Sequence, residues 1–356
     1  MKMNKISLGL AITLVSALTG CLKNNDITHP DSGYQTVYFG TQFPIRTVEL
    51  GEDLFIDNTL DNQRKVLINA TTGGVRENNK NIVLSFSVDT TLCSRLFFPT
   101  DKGGSKILPL PSNYYQLASN QITIPKGSFL GGVELQLTDA FFQDPLASSN
   151  NYALPLVLNS AKGVDSILKG TSSVTNPNRS IDANWVVKPR DFVIYALKYV
   201  NTWHGNYLRR GIDVITGSLN QTLVRHKPYV ENDEVNKLST VSLSKLNFPV
   251  VFKDSSNNNV NCNLQLTFDA SGNCTITSTT PNTTASGSGK FVSKGEKNSW
   301  GSKDRDALYL DYKVNITYIP TTPANSPSRN MIVAAKDTLV MRDRAVTLET
   351  FAPVFK

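Results

Sequence analysis

From Tyr34 onward apolar and polar side chains alternate with a period of two: Thr36-Val37-Tyr38-Phe39 and residues 65–69, 82–88 and 132–137 all follow it. That period places alternate side chains on opposite faces of a sheet, one face dry and one wet. Turn formers such as Thr72-Gly73-Gly74 separate the runs, and no long amphipathic helix interrupts them. Several short strands of this kind predict an all-β chain whose first part, residues 34–170, is a β-sandwich of immunoglobulin-like kind. The run Tyr152-Ala153-Leu154-Pro155-Leu156-Val157-Leu158 adds a strand that Pro155 is expected to hold at an edge or a bulge. Residues 171–189, rich in Ser, Asn and Thr, read as a linker. A second strand series opens at residue 190 and runs to residue 356, its members mostly joined by short polar turns. Such a series predicts an antiparallel up-and-down meander closing into a barrel, which removes its own edges.

The start of the chain follows a different pattern. Lys2 and Lys5 precede an apolar run over residues 6–18, and Leu18-Thr19-Gly20-Cys21 closes it. A run of 13 residues is short of the roughly 20 a membrane-spanning helix needs, so residues 1–20 read as an export leader. Leu-Thr-Gly-Cys matches the lipobox, in which the Cys21 thiol takes a diacylglycerol before cleavage. A triacylated Cys21 is a lasting anchor, since one acyl chain alone binds a membrane only marginally. Residues 21–33 then form a polar tether, and the expected location is the outer membrane, facing the cell exterior.

Charge narrows the partners. The formal charge of +7 falls to +5 without Lys2 and Lys5. Residues 21–189 hold 14 basic and 15 acidic side chains, and residues 190–356 hold 20 and 14. The excess is dispersed, so no nucleic-acid footprint is read from it. Besides Cys21, the cysteines are Cys93, Cys262 and Cys274, an odd number that argues against a disulfide-built scaffold. A turn over residues 269–273 would displace Cys262 and Cys274 in register, so their pairing is left open. The spacings of zinc sites, P-loops, GxSxG elbows and HExxH helices are missing, and no cofactor is expected.

Seven stretches of the chain resemble a known family. Residues 37–39, 108–115, 122–127 and 152–155 resemble a sandwich domain found at the N-terminus of surface lipoproteins from Bacteroidetes-type bacteria. Residues 199–211, 287–291 and 307–312 look like the lipocalin-like barrel that often follows it. The resemblance implies a polysaccharide-utilisation system, a non-catalytic glycan-binding or adhesive role, and outer-membrane protein partners. Some relatives carry a glycoside hydrolase barrel instead, but this chain has no DxxDxDxE-like run of carboxylates and no alternation of strands with helices.

Sugar binding sets its own chemical demand. A pyranose stacks its C–H face on an aromatic ring while its hydroxyls pair with Asp, Asn, Gln or Arg, so ligand contacts belong to loop or barrel-mouth aromatics beside polar groups. Trp203, Tyr207 and Arg209, with Asn206, form one such candidate group, and Trp300 in the polar stretch 294–304 is another. A competing reading makes Trp203 and Tyr207 core aromatics that plug the barrel's base. Arg342-Asp343-Arg344 is expected to form ion pairs on a solvated face. Two other functions stand beside glycan capture: an adhesive lipoprotein that binds a protein partner, and a glycoside hydrolase with an unrecognised carboxylate pair.

Overall fold

The computed structural model describes residues 33–320 and 327–356. The leader, Cys21 and nearly all of the tether lie outside the described residues. Strands dominate, and among the described residues no helix is long and apolar enough to cross a membrane.

In the first half, two sheets face each other across one core. We label the principal strands β1 (Thr36–Tyr38), β2 (Pro44–Glu49), β3 (Lys65–Gly73), β4 (Ile82–Val88), β5 (Tyr115–Leu117), β6 (Gln121–Ile124), β7 (Leu130–Leu137), β8 (Tyr152–Lys162) and β9 (Phe192–Val200). One sheet runs Ser166–Ile167, β1, β3, β7, β5; the other runs Glu349–Thr350, β2, β9, β8, β4, β6. Along β3 the expected alternation holds, with Val66, Ile68 and Ala70 buried between the sheets and Leu67 exposed. Three pairings are parallel: β1 with Ser166–Ile167, β2 with β9, and Leu108–Pro109 with β8. An immunoglobulin-like sandwich is built from antiparallel sheets, so these pairings depart from the expected pattern.

β8 and β9 are apolar without alternation because both of their faces are covered. Leu154, Leu156 and Tyr199 face the inter-sheet core, while Ala153, Val157, Phe192 and Ile194 join Leu96, Phe98, Ile107 and Phe351 in a second core outside the sheet. β8 is therefore central rather than an edge strand. Pro155 is tolerated there because it lies one residue beyond the ladder with β4, which begins at Leu156 opposite Val88. Its carbonyl accepts the N–H of Asp89 at 3.1 Å. β9, at which the sequence opens the second series, pairs with β8 over Phe192 to Leu197 and completes the first unit's sheet. Nothing in its own pattern distinguishes it from a barrel strand; the difference lies in its neighbours.

The barrel follows. Its strands are β10 (Gly205–Gly217), β11 (Gln221–Arg225), β12 (Glu234–Ser242), β13 (Lys245–Lys253), β14 (Asn259–Phe268), β15 (Asn273–Ser278), β16 (Thr283–Glu296), β17 (Arg305–Tyr318) and β18 (Arg329–Asp343). Neighbours in sequence are neighbours in the sheet, and β10 pairs with both β12 and β18, which closes an eight-stranded antiparallel barrel. β11 hangs outside the closure as a hairpin on β10. The Gly- and Ser-rich start of β16 has a packing reason: Gly287 opposes Tyr312, and a Cβ there would stand 2.4 Å from the Tyr312 Cβ. Small residues on one wall thus admit a large ring from the next. Cys262 and Cys274 are separate buried thiols; Cys262 opposes Val250, and Cys274 opposes Phe268.

Candidate binding site

The first candidate group lies inside the barrel. β10 sends Tyr207, Arg209 and Asp213 inward, and all three are buried. Tyr207 has no exposed surface and donates its hydroxyl to the Trp203 carbonyl at 2.8 Å. Trp203, half-buried, stacks on Phe268 with ring centroids 3.9 Å apart and an interplanar angle of 10°. Arg209 donates from Nε to Asp337 Oδ2 at 3.0 Å and from Nη2 to the Tyr312 hydroxyl at 3.1 Å. Its guanidinium also lies 5.3 Å from the Phe248 ring centroid. Asp337 accepts further bonds from Tyr312 at 2.8 Å and Arg225 at 2.5 Å, and Arg225 grips Asp213 through two bonds of 2.8 Å. Two guanidiniums face two buried carboxylates, and the exposed Glu234 carboxylate lies 3.8 Å from Arg209 Nη1. Tyr207 and Arg209 are therefore occupied by the barrel's own packing.

Trp300 sits on the barrel's outside, half-buried, in the short helical turn Trp300–Ser302. Its Nε1–H donates to the Met341 carbonyl at 3.1 Å, and the Arg305 guanidinium lies 3.6 Å from its ring centroid. With Phe55, Leu208, Glu231, Arg342 and Asp343 it lines a hollow of about 380 Å³. Asp343 accepts from Asn206 Nδ2 at 2.6 Å. The structure thus brings Trp300 near Asn206's partner and separates it from Tyr207 and Arg209, which face the other side of the wall. Arg344 departs from the solvated face expected of it. It is buried and donates to the carbonyls of Leu50, Glu52, Asn201 and His204 at 2.8–3.0 Å, tying the first unit to the barrel.

A larger cleft, about 640 Å³, combines aromatic rings with free polar groups. It lies between residues 40–43, residues 179–189 and the C-terminal residues 350–355. Phe43 packs edge-on against Phe192 and Phe351, at 5.7 and 5.5 Å, and this brace fixes one wall. Phe355, 38% exposed, also lines the cleft and is held by the pairing of Val354–Phe355 with Leu96–Phe97 and by the Arg95 guanidinium 4.7 Å from its ring. Arg179 is oriented by Asp191, which accepts from Nε at 3.1 Å and from Nη2 at 2.9 Å, leaving Nη1 without a partner among the described residues. Gln42 donates to the Phe39 carbonyl at 2.6 Å, which orients its amide. The Ser180 hydroxyl is buried with no hydrogen-bond partner in the protein. Rings on one side and unused donors and acceptors on the other make a surface that can hold an amphipathic polyol.

None of these cleft residues is a sequence candidate. The available signal is the placement of Phe43, Phe351 and Phe355 in short stretches next to proline, Phe43-Pro44 and Phe351-Ala352-Pro353-Val354-Phe355, where no period assigns them to a core. Among the described residues no cluster of three His, Cys, Asp or Glu side chains is placed to hold a metal.

Comparison with known proteins bears on both halves. Residues 202–345 match the family described as a domain of unknown function, DUF5627. Residues 32–165 match a family described as an N-terminal domain. No protein of curated function matches. Among solved structures, a Bacteroides ovatus multidomain protein that includes DUF1735 is 11% identical, with a TM-score of 0.41 over 89% of this chain and 99% of that one. An auxiliary nutrient binding protein from Bacteroides thetaiotaomicron is 11% identical, with a TM-score of 0.38 over 86% of this chain and 95% of that one. Likenesses at that level carry no argument. A Bacteroides ovatus protein of unknown function is different: it is 46% identical, with a TM-score of 0.83 over 91% of this chain and 99% of its own. The chain therefore belongs to the family of that Bacteroides ovatus protein.

Proposed function

We propose that the protein is a non-catalytic glycan-binding lipoprotein of a polysaccharide-utilisation system, anchored by acylated Cys21 on the outer face of the outer membrane, and that it holds its ligand in the cleft of Phe43, Phe351 and Phe355. The observation that carries this reading is the cleft's composition. Braced rings offer an apolar platform, and the amide oxygen of Gln42 and the free Nη1 of Arg179 supply hydrogen bonds that the protein itself does not use. Stacking of a sugar face on such rings is favourable while its hydroxyls keep their hydrogen bonds. The cleft is read as binding and not hydrolysing because one carboxylate, Asp182, lines it, whereas glycoside hydrolysis ordinarily uses two flanking the scissile bond.

Affinity electrophoresis of the protein through gels containing glucans, xylans or mannans tests the reading. Retardation in at least one gel is expected, and free migration in all of them removes it. The anchor has its own test. Cys21→Ala should abolish lipid labelling and release the protein from membranes, and continued membrane association of that variant contradicts the anchor.

One observation favours a protein partner as a second reading. β11 is paired on one side only among the described residues, and its Leu223 and Val224 are exposed. An open edge with apolar side chains suits strand addition by another chain.

A further inference from the structure

Between the first unit and the barrel lies another cleft, about 430 Å³, with chemistry opposite to that of the aromatic one. No Phe, Tyr or Trp ring lines it. Three lysines do, each from a different part of the fold: Lys102 from the helical turn Thr100–Lys102, Lys198 from β9 and Lys237 from β12. His204, in the connection from β9 to β10, joins them. Two carboxylates, Asp101 and Glu349, face these three ammonium groups.

The hydrogen bonds show which donors remain. Glu349 is shared: Lys102 Nζ donates to Oε2 at 2.6 Å and Lys198 Nζ to Oε1 at 3.0 Å. One negative charge thus serves two positive ones. Lys237 has no carboxylate partner among the described residues. His204 Nδ1 accepts the backbone N–H of Thr240 at 3.1 Å, which places the ring proton on Nε2 and makes that nitrogen a donor. Burial, and then the charges of Arg344, Lys237 and Lys198, lower its pKa to about 3, so the ring stays neutral and reports a positive field in the cleft. Ser105, Ser148 and Ser149 add hydroxyls along the walls.

We infer that this cleft binds an oxyanion carried on a saccharide, either a uronate carboxylate or a sulfate ester, with Lys237 and His204 Nε2–H as free donors. Glu349 acts as the resident counter-ion, and an incoming anion competes with it for Lys102 and Lys198. A neutral sugar finds no ring to stack on here, and a cation meets an excess of positive charge. The inference rests on the glycan reading for the source of the anion and on the cleft's own geometry for its charge.

The test is titration of the full chain with oligogalacturonate, with a sulfated oligosaccharide, with a neutral glucan oligosaccharide and with inorganic sulfate alone, at low and at high salt. At least one acidic oligosaccharide should bind in a salt-dependent way, and which one binds identifies the anion's source. Lys237→Ala should weaken that binding roughly 5-fold, the size of effect a single partly desolvated charge has. Glu349→Gln should tighten it, because two ammonium groups lose their internal partner. Lys313→Ala, at an exposed position on the barrel wall, should leave it unchanged. Equal weakening by Lys313→Ala and Lys237→Ala, or no binding of any anion, overturns the inference. If the neutral glucan binds while no anion does, the inference falls and the glycan reading stands. Binding of inorganic sulfate without any saccharide retains the anion site and removes the saccharide as its source.

Discussion

The barrel interior and the aromatic cleft are built from the same kinds of residue, yet they behave as opposites. Inside the barrel, Arg209, Arg225, Asp213, Asp337 and Tyr312 bond to one another, and Phe248 covers the Arg209 guanidinium. In the cleft, Arg179 gives Nε and Nη2 to Asp191 and keeps Nη1 free. Rings, arginines and aspartates therefore do not mark a binding site by their presence. What marks it is leftover hydrogen-bonding capacity that is open to a ligand beside a ring, whereas the Arg225 Nη1 left over in the barrel network is buried.

The comparison breaks most forcefully on the barrel side. Asp337→Ala leaves Arg209 and Arg225 with Asp213 as the one buried carboxylate between them and the exposed Glu234 at 3.8 Å from Arg209, and loss of one partner of a buried ionic network costs about 3–5 kcal/mol. Denaturant unfolding should show that loss, while the variant protein that remains folded still binds glycan. Unchanged stability would mean that the network is not buried as described.

A smaller effect comes from a buried charge in neither region. Neither carboxylate oxygen of Glu49 has a hydrogen bond, and the nearest cation is Arg344 Nη1 at 3.5 Å. Burial, then the neighbouring Asp53, raise its pKa from 4.5 to about 7 despite Arg344. The folded state thus keeps a proton that the unfolded chain releases. Its contribution to stability is full below pH 4.5 and is lost as pH rises through 7. Wild type should therefore lose about 2 kcal/mol relative to Glu49→Gln between pH 5 and pH 8. Parallel stability profiles for the two proteins would contradict the raised pKa.

The smallest expected change in stability is on the cleft side. Phe355→Ala removes a ring that is 38% exposed. Folding stability should fall by about 1 kcal/mol, for the partly buried ring and its contact with Arg95. The effect belongs to binding, which should weaken about 10-fold, the scale of one lost stacking ring.

How far the sequence reveals this molecule follows the same division. Period-two runs such as β3 are legible because one face meets a core and the other meets water. β8 and β9 are legible as strands, but their place is not, since burial on both faces erases the alternation that would tie them to one sheet. Tyr207 and Arg209 look like ligand contacts because a sequence does not show that Asp337, 128 residues after Arg209, will satisfy the arginine. Phe351 and Phe355 stay hidden for the reverse reason: residues 351–355 fold back onto Phe43 and Leu96–Phe97, and only that closure brings three scattered rings to one cleft. The turn formers around Trp300, Asn298, Ser299, Gly301 and Ser302, are legible as a turn, whereas its half-burial against Arg305 is not.

Isothermal titration of wild type, Phe355→Ala and Trp300→Ala with one neutral oligosaccharide tests the central claim most directly. Glycan capture in the aromatic cleft predicts saturable heat for wild type and Trp300→Ala and an affinity about 10-fold lower for Phe355→Ala. Heat that survives Phe355→Ala and disappears with Trp300→Ala would move the site to the hollow on the barrel wall, and no heat with any of the three proteins would contradict glycan binding itself.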